Sequence, residues 1–458
     1  MSDPAEAPGR GAATGLFDGV FARGPVRDIA GDRGWLAAML EAEVALARAE
    51  AEAGAIPADH AAEIAAACRP DAFDVATLGA QAADAGNPVV PLVDAIRAAV
   101  GGVAAGSVHR GATSQDILDT AAILVSRRAL EAIGADVCGA ADAAARLAAE
   151  HRVTVMPGRT LLQQAVPTTF GLKAAGWMLA LDESAGALEA VRRRRLAAQL
   201  GGAAGTLASL EGRGPAVLTA FAQLLGLAEP LLPWHTDRTR MAELAGSLGS
   251  TAGAIGKVAL DVVLLAQTEI GEVHEGNPAR GGSSTMPHKQ NAVAAISARA
   301  CAMRAPGLVG TLLAAMPQEH ERAAATWHVE WPVLSDLLVS VGSAAAWLRD
   351  CLEHLDVDAA RMDANLQASA GLEMAERVVA ALAAKLGAAE ARQSVRDAVA
   401  VARREDLPLL DVLRSSPVVR DAMPDAELVR LADPRTYLGS AGELVDRALR
   451  AHAARGGR

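Results

Sequence analysis

The sequence predicts an all-α fold, and both its composition and the length of its uninterrupted segments indicate this class. Apolar residues make up 51% of the chain, whereas aromatic residues make up only 3%. Alanine and leucine dominate the apolar set and lose little on entering a helix, while the aromatic residues that favour strands are scarce. Three segments, 115–151, 166–200 and 236–274, each exceed thirty residues with no proline in their interior. These features predict an all-α protein with three helical domains.

The N-terminal region is predicted to hold several modest helices. Residues 1–14 are rich in alanine, glycine and proline and are predicted to be a disordered lead. Apolar residues fall on one side of a helix over 34–53, and Gly54 supplies a normal stop signal. Asn87-Pro88 marks a break and the start of a new helix. This N-terminal helical domain is expected to span residues 15–108.

The long middle segments are predicted to form a bundle over residues 109–356. Apolar residues of the third segment recur at steps near 3.5 or 7, namely Leu244, Leu248, Ile255, Val258, Val262, Leu265 and Ile270. Such length and period are typical of helices packed nearly parallel. A helix of about 37 residues spans about 55 Å, which exceeds one small domain. We therefore expect these helices to bury apolar faces against other subunits.

A smaller C-terminal helical domain is predicted over residues 357–458, where prolines return to the sequence. They stand at positions 408, 417, 424 and 434, and each limits the length of a helix. The central bundle is therefore flanked by a shorter-helix domain on either side.

Charge and cysteine usage exclude several classes of function. The net charge of −11 provides no basic field for nucleic acid or for an anionic membrane, so an anionic substrate would need a local group of cations. The four cysteines, at positions 68, 138, 301 and 351, are far apart and are predicted to be buried free thiols in a reducing compartment. The N-terminus has no apolar signal segment and the longest apolar stretches carry regular charges. A cytoplasmic protein with no membrane span is expected.

The sequence offers no sign of a metal or a nucleotide cofactor. None of the ten histidines has a convincing metal-ligand spacing, and neither a P-loop nor a Gly-x-Gly-x-x-Gly stretch occurs. We therefore predict neither cofactor nor metal.

The densest chemical signal is the segment Gly282-Ser-Ser-Thr-Met-Pro-His-Lys-Gln-Asn291. An ordinary Gly/Ser connector between helices is the plain alternative. A connector, however, has no need of the Met-Pro-His-Lys-x-Asn run that follows the flexible part. A loop with unused backbone N–H groups and Lys289 is suited to binding a carboxylate and stabilising the charge that grows when its α-carbon loses a proton.

Three further segments carry polar groups whose meaning stays open when each is taken alone. His109–Asp116 includes Thr113, Ser114 and Gln115, which suit an anion site at a helix start but equally an ordinary N-cap. Arg159 and Gln163 are suited to gripping carboxylates, or belong to a polar turn with Pro167 in the first turn of the next helix. His320 and Arg322 lie in a charged run that is usually a solvated helix face.

Together, these four segments, in this order and flanking long helices, resemble the fumarase/aspartase superfamily. Residues 282–291 are similar to its highly specific signature loop. Within the superfamily the chain resembles bacterial enzymes that lactonise a carboxymuconate, and the likeness covers nearly the whole chain, including 43–50, 233–238 and 437–439. The resemblance implies a homotetramer whose active sites each draw on three subunits. It also implies a small anionic tricarboxylate substrate, a role in catabolism of protocatechuate-type aromatics, and no cofactor.

The resemblance also assigns roles residue by residue. Ser283 matches the catalytic serine, and Lys289 and Asn291 match the pair that binds substrate and stabilises its charge. Thr113 and Ser114 match carboxylate-binding hydroxyls, and His109 matches the histidine before them. The remaining expected substrate ligands are Gln115, Arg159, Gln163, His320 and Arg322. One departure is Gln290-Asn291-Ala292, where the family often has Arg-Asn-Pro, and this is expected to loosen the end of the loop.

The larger departure is Leu161, which stands where lyases that release fumarate carry a histidine as general acid. Leucine cannot exchange a proton. In the reverse of a lactonisation the leaving group is a carboxylate, whose pKa near ~4 lets it depart unprotonated. Leu161 therefore favours a lactonising enzyme, in which we assign the protonation of the α-carbon to Ser283. It disfavours the nearest rival, an adenylosuccinate lyase, and intact Ser283, Lys289 and Asn291 disfavour a catalytically silent structural homologue.

Overall fold

The computed structural model describes residues 15–276, 280–282, 285–286 and 288–456, so the predicted disordered lead lies outside the described residues. Helices dominate, and the predicted all-α, multi-domain class is confirmed. The N-terminal helices are α1 (Asp18–Phe21), α2 (Val26–Ile29), α3 (Asp32–Glu52), α4 (Ala58–Ala67), α5 (Val75–Ala85) and α6 (Val89–Val100). They are followed by α7 (Ser114–Glu150), α8 (Phe170–Arg194), α9 (Gly214–Leu225), α10 (Thr239–Leu265), α11 (Val293–Ala302), α12 (Ala305–Ala314) and α13 (Thr326–Glu353). The last are α14 (Ala359–Gln367), α15 (Ala375–Leu386), α16 (Ala388–Glu405), α17 (Leu409–Ser415), α18 (Pro417–Ala422), α19 (Asp425–Ala432) and α20 (Ala441–Gly456).

The predicted helix boundaries at Gly54 and at Asn87-Pro88 are confirmed, and both rest on local signals. Helix α3 ends beside Gly54, whose φ of 67° is a left-handed conformation suited to glycine. The Asn87 side chain accepts hydrogen bonds from the N–H groups of Val89 and Val90 and so caps α6. Helix α7 has 37 residues, as predicted. Helix α10 stops at Leu265, short of residue 274, because the chain turns at Gly271 and then enters a strand.

Four short strands were not predicted. Strand β1 (Val155–Thr160) pairs antiparallel with β2 (Gln163–Thr169), and β3 (Val273–Glu275) pairs with β4 (Leu355–Val357). Pro167 lies in β2 and not in the first turn of a helix, and it stands opposite Pro157. Proline is tolerated there because an edge of a two-stranded ribbon leaves backbone N–H groups without a ladder partner.

The chain divides into two compact units built from discontinuous segments. The first comprises the described part of Met1–Cys138 together with Glu183–Lys257 and Ile296–Arg349. The second comprises the described parts of Gly139–Asp182, Val258–Ala295 and Asp350–Arg458. In the first unit α3 packs on α4 and α9, and in the second the C-terminal helices α15 to α19 enclose a core of leucine, valine and alanine. The three-domain bounds given by the sequence remain a prediction.

The cysteine prediction is correct only in part. Cys301 and Cys351 are buried, whereas Cys68 is half-buried and Cys138 is exposed on α7. The expectation that all four thiols are buried is therefore wrong in the single chain. Periodicity places a residue on a helix face, but it does not say how much of that face the same chain covers.

By length and composition alone, two helices of the described ranges, α10 and α13, are apolar enough to cross a membrane. Within the chain, 44% of the most apolar window of α10 and 61% of that of α13 are buried. Core helices of soluble helical proteins have the same composition, so this feature is weak evidence for a membrane span.

Candidate active site

The predicted site residues fall into two groups, one in each unit. The first, called the α7 cluster, comprises His109, Thr113, Ser114, Gln115, His320 and Arg322. The second, called the loop-stem cluster, comprises Arg159, Gln163, Lys289 and Asn291. Ser283, the predicted catalytic serine, lies outside the described residues.

The start of α7 is fixed by one buried carboxylate. Asp116 is 0% exposed and accepts a hydrogen bond from the N–H of Thr113 at 2.9 Å, as in a capping box. The same carboxylate accepts bonds from the N–H groups of Gly201 and Gly202, both at 2.9 Å, and lies 2.7 Å from Nε2 of His235. The N-terminus of α7 is thus held rigidly, with the positive end of its dipole at Thr113 and Ser114.

Two segments that are far apart in sequence meet at Thr113. The Arg322 guanidinium donates a hydrogen bond to the Thr113 hydroxyl, and both side chains are half-buried. A guanidinium, a hydroxyl and a helix N-terminus together form a site for a carboxylate. The structure therefore brings together two of the predicted substrate ligands. His320 is exposed and has a left-handed φ of 48°.

Gln115 is placed differently from its neighbours. It is fully buried, and its side-chain amide donates to Asp119 at 3.2 Å and to the carbonyl of His235 at 2.8 Å. Its Oε1 has no hydrogen-bond partner among the described residues. This geometry favours a structural role, and the role of Gln115 as a substrate ligand remains a prediction.

Beneath the α7 cluster lies a buried ion network that sequence reasoning missed. Arg238 is 2% exposed, and its guanidinium bonds both oxygens of Asp119, at 2.8 and 3.1 Å, and Oε1 of Glu330 at 3.0 Å. Gln318, near Arg322 in sequence, donates to Glu330 at 3.1 Å. Burial opposes the charge on Arg238, but Asp119 and Glu330 raise its pKa, so it stays cationic. The network ties α7, α13 and the 318–322 segment together.

His109 is bound to an acidic residue that was not predicted as functional. Its Nδ1 lies 2.6 Å from Oε1 of Glu43, which is 1% exposed on α3. Burial lowers the pKa of His109, but the charge and the hydrogen bond of Glu43 outweigh it, and the net shift is upward. The available sequence signal was the position of Glu43 and Glu50, which fall at helical spacing on the same side of α3 as its buried apolar residues.

Arg159, in the loop-stem cluster, forms a salt bridge with a protein carboxylate. Its two terminal nitrogens donate to the two oxygens of Glu272 at 2.9 and 2.6 Å, and Asn365 donates to the same carboxylate at 2.9 Å. Glu272 is 0% exposed. A β-bulge directs Arg159 to this partner, and it centres on Gly158, where a Cβ would lie 2.5 Å from the carbonyl oxygen of Val166. This pairing favours an anchoring role for Arg159, whose predicted binding role stays untested.

The tip of the β1–β2 hairpin presents Leu161 and Leu162. Both have left-handed backbones, with φ of 50° and 64°, and their side chains are 97% and 78% exposed. Gln163 beside them is exposed as well. A leucine usually packs in an apolar environment, but in the single chain Leu161 does not, because the tip of the hairpin projects away from the rest of its own chain.

The stem of the signature loop is closed by backbone and amide contacts. Asn291 donates to the carbonyl of Gly281 twice, from its backbone N–H at 2.9 Å and from Nδ2 at 2.8 Å. Gly282 and Gln290 form an antiparallel bridge beside them. A Cβ on Gly281 would lie 2.3 Å from the Asn291 carbonyl oxygen, so this position requires glycine. Lys289 is exposed, and the Asn291 side chain already has a structural partner.

One acidic residue secures the helix that follows the loop. The Glu275 carboxylate, on β3, accepts hydrogen bonds from the N–H groups of Ala294 and Ala295 at 3.0 and 2.8 Å, in the first turn of α11. In the part of the chain that the structure describes, no three His, Cys, Asp or Glu side chains are grouped to hold a metal ion.

The chain was compared with protein families, curated proteins and solved structures. A family profile described as "Lyase" matches residues 21–307, and one described as "Adenylosuccinate lyase C-terminus" matches residues 371–448. A 3-carboxy-cis,cis-muconate cycloisomerase of Pseudomonas aeruginosa is 46% identical over 448 residues, which cover 97% of this chain and 98% of the relative. A nitrosuccinate lyase of Streptomyces davaonensis is 44% identical, with 95% and 94% covered. The crystal structure of a 3-carboxy-cis,cis-muconate lactonizing enzyme from Pseudomonas putida superposes with a TM-score of 0.91 at 43% identity, covering 96% of this chain and 99% of that one.

Proposed function

This chain belongs to the lyase family of the fumarase/aspartase superfamily, and from that premise we propose that it lactonises 3-carboxy-cis,cis-muconate to 4-carboxymuconolactone. The observation that carries the proposal is the full-length similarity, at 46% identity, to a relative named for this activity. The leucine at position 161 supports it. In the reverse of the lactonisation the leaving group is a carboxylate, which departs without a general acid. The pathway assigned to the chain is protocatechuate catabolism, the β-ketoadipate pathway.

The substrate carries three carboxylates, and the described residues supply matching donors. In the α7 cluster these are the helix N-terminus, the Thr113 hydroxyl, the Arg322 guanidinium and His109. In the loop-stem cluster the exposed ammonium of Lys289 has the matching charge. A protein with a net charge of −11 cannot attract a trianion by its overall electrostatic field, so the substrate must be held by local cations such as these.

The reaction is an intramolecular addition. A carboxylate oxygen of the substrate attacks the conjugated alkene, a C–O bond forms, and the displaced electron pair moves into the neighbouring carboxylate as an aci-carboxylate. The α-carbon then takes up a proton, which we assign to Ser283, while Lys289 and the loop N–H groups stabilise the charge. The trianionic substrate gains one proton and becomes a dianionic lactone, Ser283 regains its proton from water, and no cofactor enters the sequence of steps.

The proposed assembly is a cytoplasmic homotetramer with shared active sites and no nucleic-acid or membrane partner. Support comes from α10, whose most apolar window is only 44% buried within its own chain. Further apolar side chains left exposed by the single chain include Leu161, Ile296 at 49% and Leu313 at 46%. Packing against other copies would remove these surfaces from water, and each Å² of apolar surface buried would stabilise the assembly by about 25 cal/mol.

A second candidate is cleavage of nitrosuccinate, favoured by the 44% identity to a lyase named for that substrate. Nitrite, like a carboxylate, is a weakly basic anion that departs without protonation. Leu161 therefore does not separate these two activities, although it disfavours cleavage of adenylosuccinate, whose leaving group is an amine.

The test is a three-substrate comparison with purified protein. Loss of conjugated-diene absorbance reports on 3-carboxy-cis,cis-muconate, release of nitrite on nitrosuccinate, and release of AMP on adenylosuccinate. We expect turnover of the muconate with a kcat/KM at least a hundredfold above that of the other two. Faster turnover of nitrosuccinate would replace the proposal by the second candidate, and no turnover of any substrate would contradict both.

A further inference from the structure

Two buried acids lie on one face of α3, behind the α7 cluster. Glu43 is 1% exposed and Glu50 is 0% exposed, and their spacing of seven residues places them two helical turns apart on the same side. A buried carboxylate is stable only when it is paired with a donor or cation, or when it is protonated. The two acids meet this requirement in different ways.

Glu43 is the paired member. Its Oε1 lies 2.6 Å from Nδ1 of His109, whose side chain is only 13% exposed. The backbone of His109 is left-handed, with a φ of 60°, and the contact at Nδ1 fixes the orientation of the ring. A hydrogen bond from Nδ1–H to a carboxylate fixes the tautomer and leaves Nε2 as the nitrogen that can meet another group.

Glu50 is the unpaired member. Neither of its carboxylate oxygens has a hydrogen-bond partner among the described residues. Burial, and then the charge of Glu43, raise the pKa of Glu50 to about 8, against a smaller lowering by Arg110. Glu50 is therefore a neutral acid at neutral pH, whereas Glu43 is held by its contact with His109.

This distribution of charge matters for a substrate with three carboxylates. His109 lies four residues before Thr113, in the loop that leads to α7. Other charged groups that act on His109 are Asp116, which favours its protonation, and Arg97, which disfavours it. A second negative charge behind the histidine would repel the substrate, and a neutral histidine would leave Glu43 uncompensated.

We propose that Glu43 is a positioning residue: it holds His109 with its proton on Nδ1 and keeps the ring cationic, so that Nε2 donates to a substrate carboxylate. The proposal rests on the proposed function for the identity of that carboxylate. Glu50 supports the arrangement as a neutral acid. Substrate binding should therefore weaken as the pH rises and His109 loses its proton, and weaken further near pH 8, where Glu50 ionises.

The first test measures His109 directly and needs no turnover. The tetrameric protein is labelled with ¹⁵N-histidine, the His109 signals are assigned from their loss in His109→Gln, and the ring is titrated by NMR. We expect Glu43→Gln to move the midpoint of His109 down by at least one pH unit. The matched control, Glu52→Gln, changes an exposed glutamate of the same helix and should leave the midpoint unchanged. An unchanged midpoint in Glu43→Gln would overturn the proposal.

The second test separates a positioning role from a merely structural one. Glu43→Gln and His109→Gln should each raise KM for the muconate about tenfold with a smaller change in kcat, and the double variant should show no further increase. Additive losses would mean that Glu43 does not act through His109. If Glu43→Gln does not fold, His109→Gln is the decisive variant: its KM must rise with pH much less than that of the wild type, and an equal rise would overturn the proposal. If the wild type turns over no muconate, the proposed function fails, and the NMR titration still tests the pair.

Discussion

The α7 cluster and the loop-stem cluster use similar residues for different purposes. Around the α7 cluster, the structural work is done by buried residues to which the sequence assigned no role, such as Asp116 and Arg238. Arg322 donates to the Thr113 hydroxyl and has no carboxylate partner among the described residues. In the loop-stem cluster, two residues predicted to bind substrate, Arg159 and Asn291, are themselves bound to Glu272 and to the Gly281 carbonyl. A cation in a motif is therefore a ligand only if its own chain has not already provided its counter-ion.

The largest expected effect concerns the centre of the signature loop. Ser283→Ala should lower kcat by about 10³-fold, within the range for loss of a group that transfers a proton in the transition state. The oligomeric state and substrate binding should match those of the wild type, as checked by sedimentation and by equilibrium binding. Ser284→Ala is the matched control, and a wild-type rate in Ser283→Ala with a loss in Ser284→Ala would move the proton transfer to the second serine.

Lys289 tests whether the loop-stem cluster acts on the transition state. It is exposed in the chain, and loss of an interaction made only in the transition state lowers kcat and kcat/KM together. We expect Lys289→Met to lower kcat about tenfold to a hundredfold. A rise in KM at constant kcat would demote Lys289 to ground-state binding.

The two arginines provide the sharpest test of the comparison. Arg159→Met leaves Glu272 as a buried, poorly compensated charge, so the free energy of unfolding should fall by about 2–4 kcal/mol. Arg322→Met removes a half-buried guanidinium whose hydrogen-bond partner, the Thr113 hydroxyl, is neutral. It should raise KM while changing the free energy of unfolding by less than about 1 kcal/mol. Urea unfolding and steady-state kinetics on both variants decide the matter. If Arg159→Met is as stable as the wild type and has a raised KM, Arg159 binds substrate and does not anchor Glu272, and the contrast between the two clusters is wrong.

Glu50 provides a test that depends on pH. Because its folded-state pKa is about 8 and its ordinary value is 4.5, only the folded protein keeps this proton between those values. Its contribution to stability therefore falls as pH rises through that window, by at most roughly 1.4 kcal/mol per pH unit. Glu50→Gln removes this dependence and should be more stable than the wild type at pH 8, with the difference shrinking or reversing at pH 5. Urea titrations at the two pH values measure it, with Glu52→Gln as the control.

The smallest effect is expected at the hairpin tip. A carboxylate leaving group needs no acid, so Leu161→His should give no gain in lactonisation and no cleavage of adenylosuccinate. Leu161 is 97% exposed within its chain, and the variant should therefore leave the stability of the unassembled chain unchanged. A clear increase in the lactonisation rate would show that proton transfer at this position limits the reaction.

The sequence by itself determined the helical class, the length of α7 and the helix boundaries at Gly54 and Asn87, and it predicted the segments that carry chemistry. Each of these follows from local propensity, periodicity or a specific run of residues. It could not reveal the partners Glu43, Glu272 and Arg238, because a single acid or base carries no sign of which distant residue it will meet.

Only the tertiary structure decided which predicted ligands keep their polar groups available. Arg159 and Arg322 are equivalent in the sequence. In the structure Arg159 faces a fully buried carboxylate 113 positions away, whereas Arg322 faces a threonine hydroxyl 209 positions away. The physical reason is that burying a charge is costly unless a counter-ion is close, so the fold assigns partners by distance in space. The β1–β2 hairpin was missed for a similar reason: its pairing and its bulge at Gly158 depend on contacts across the strands, which local propensity does not report.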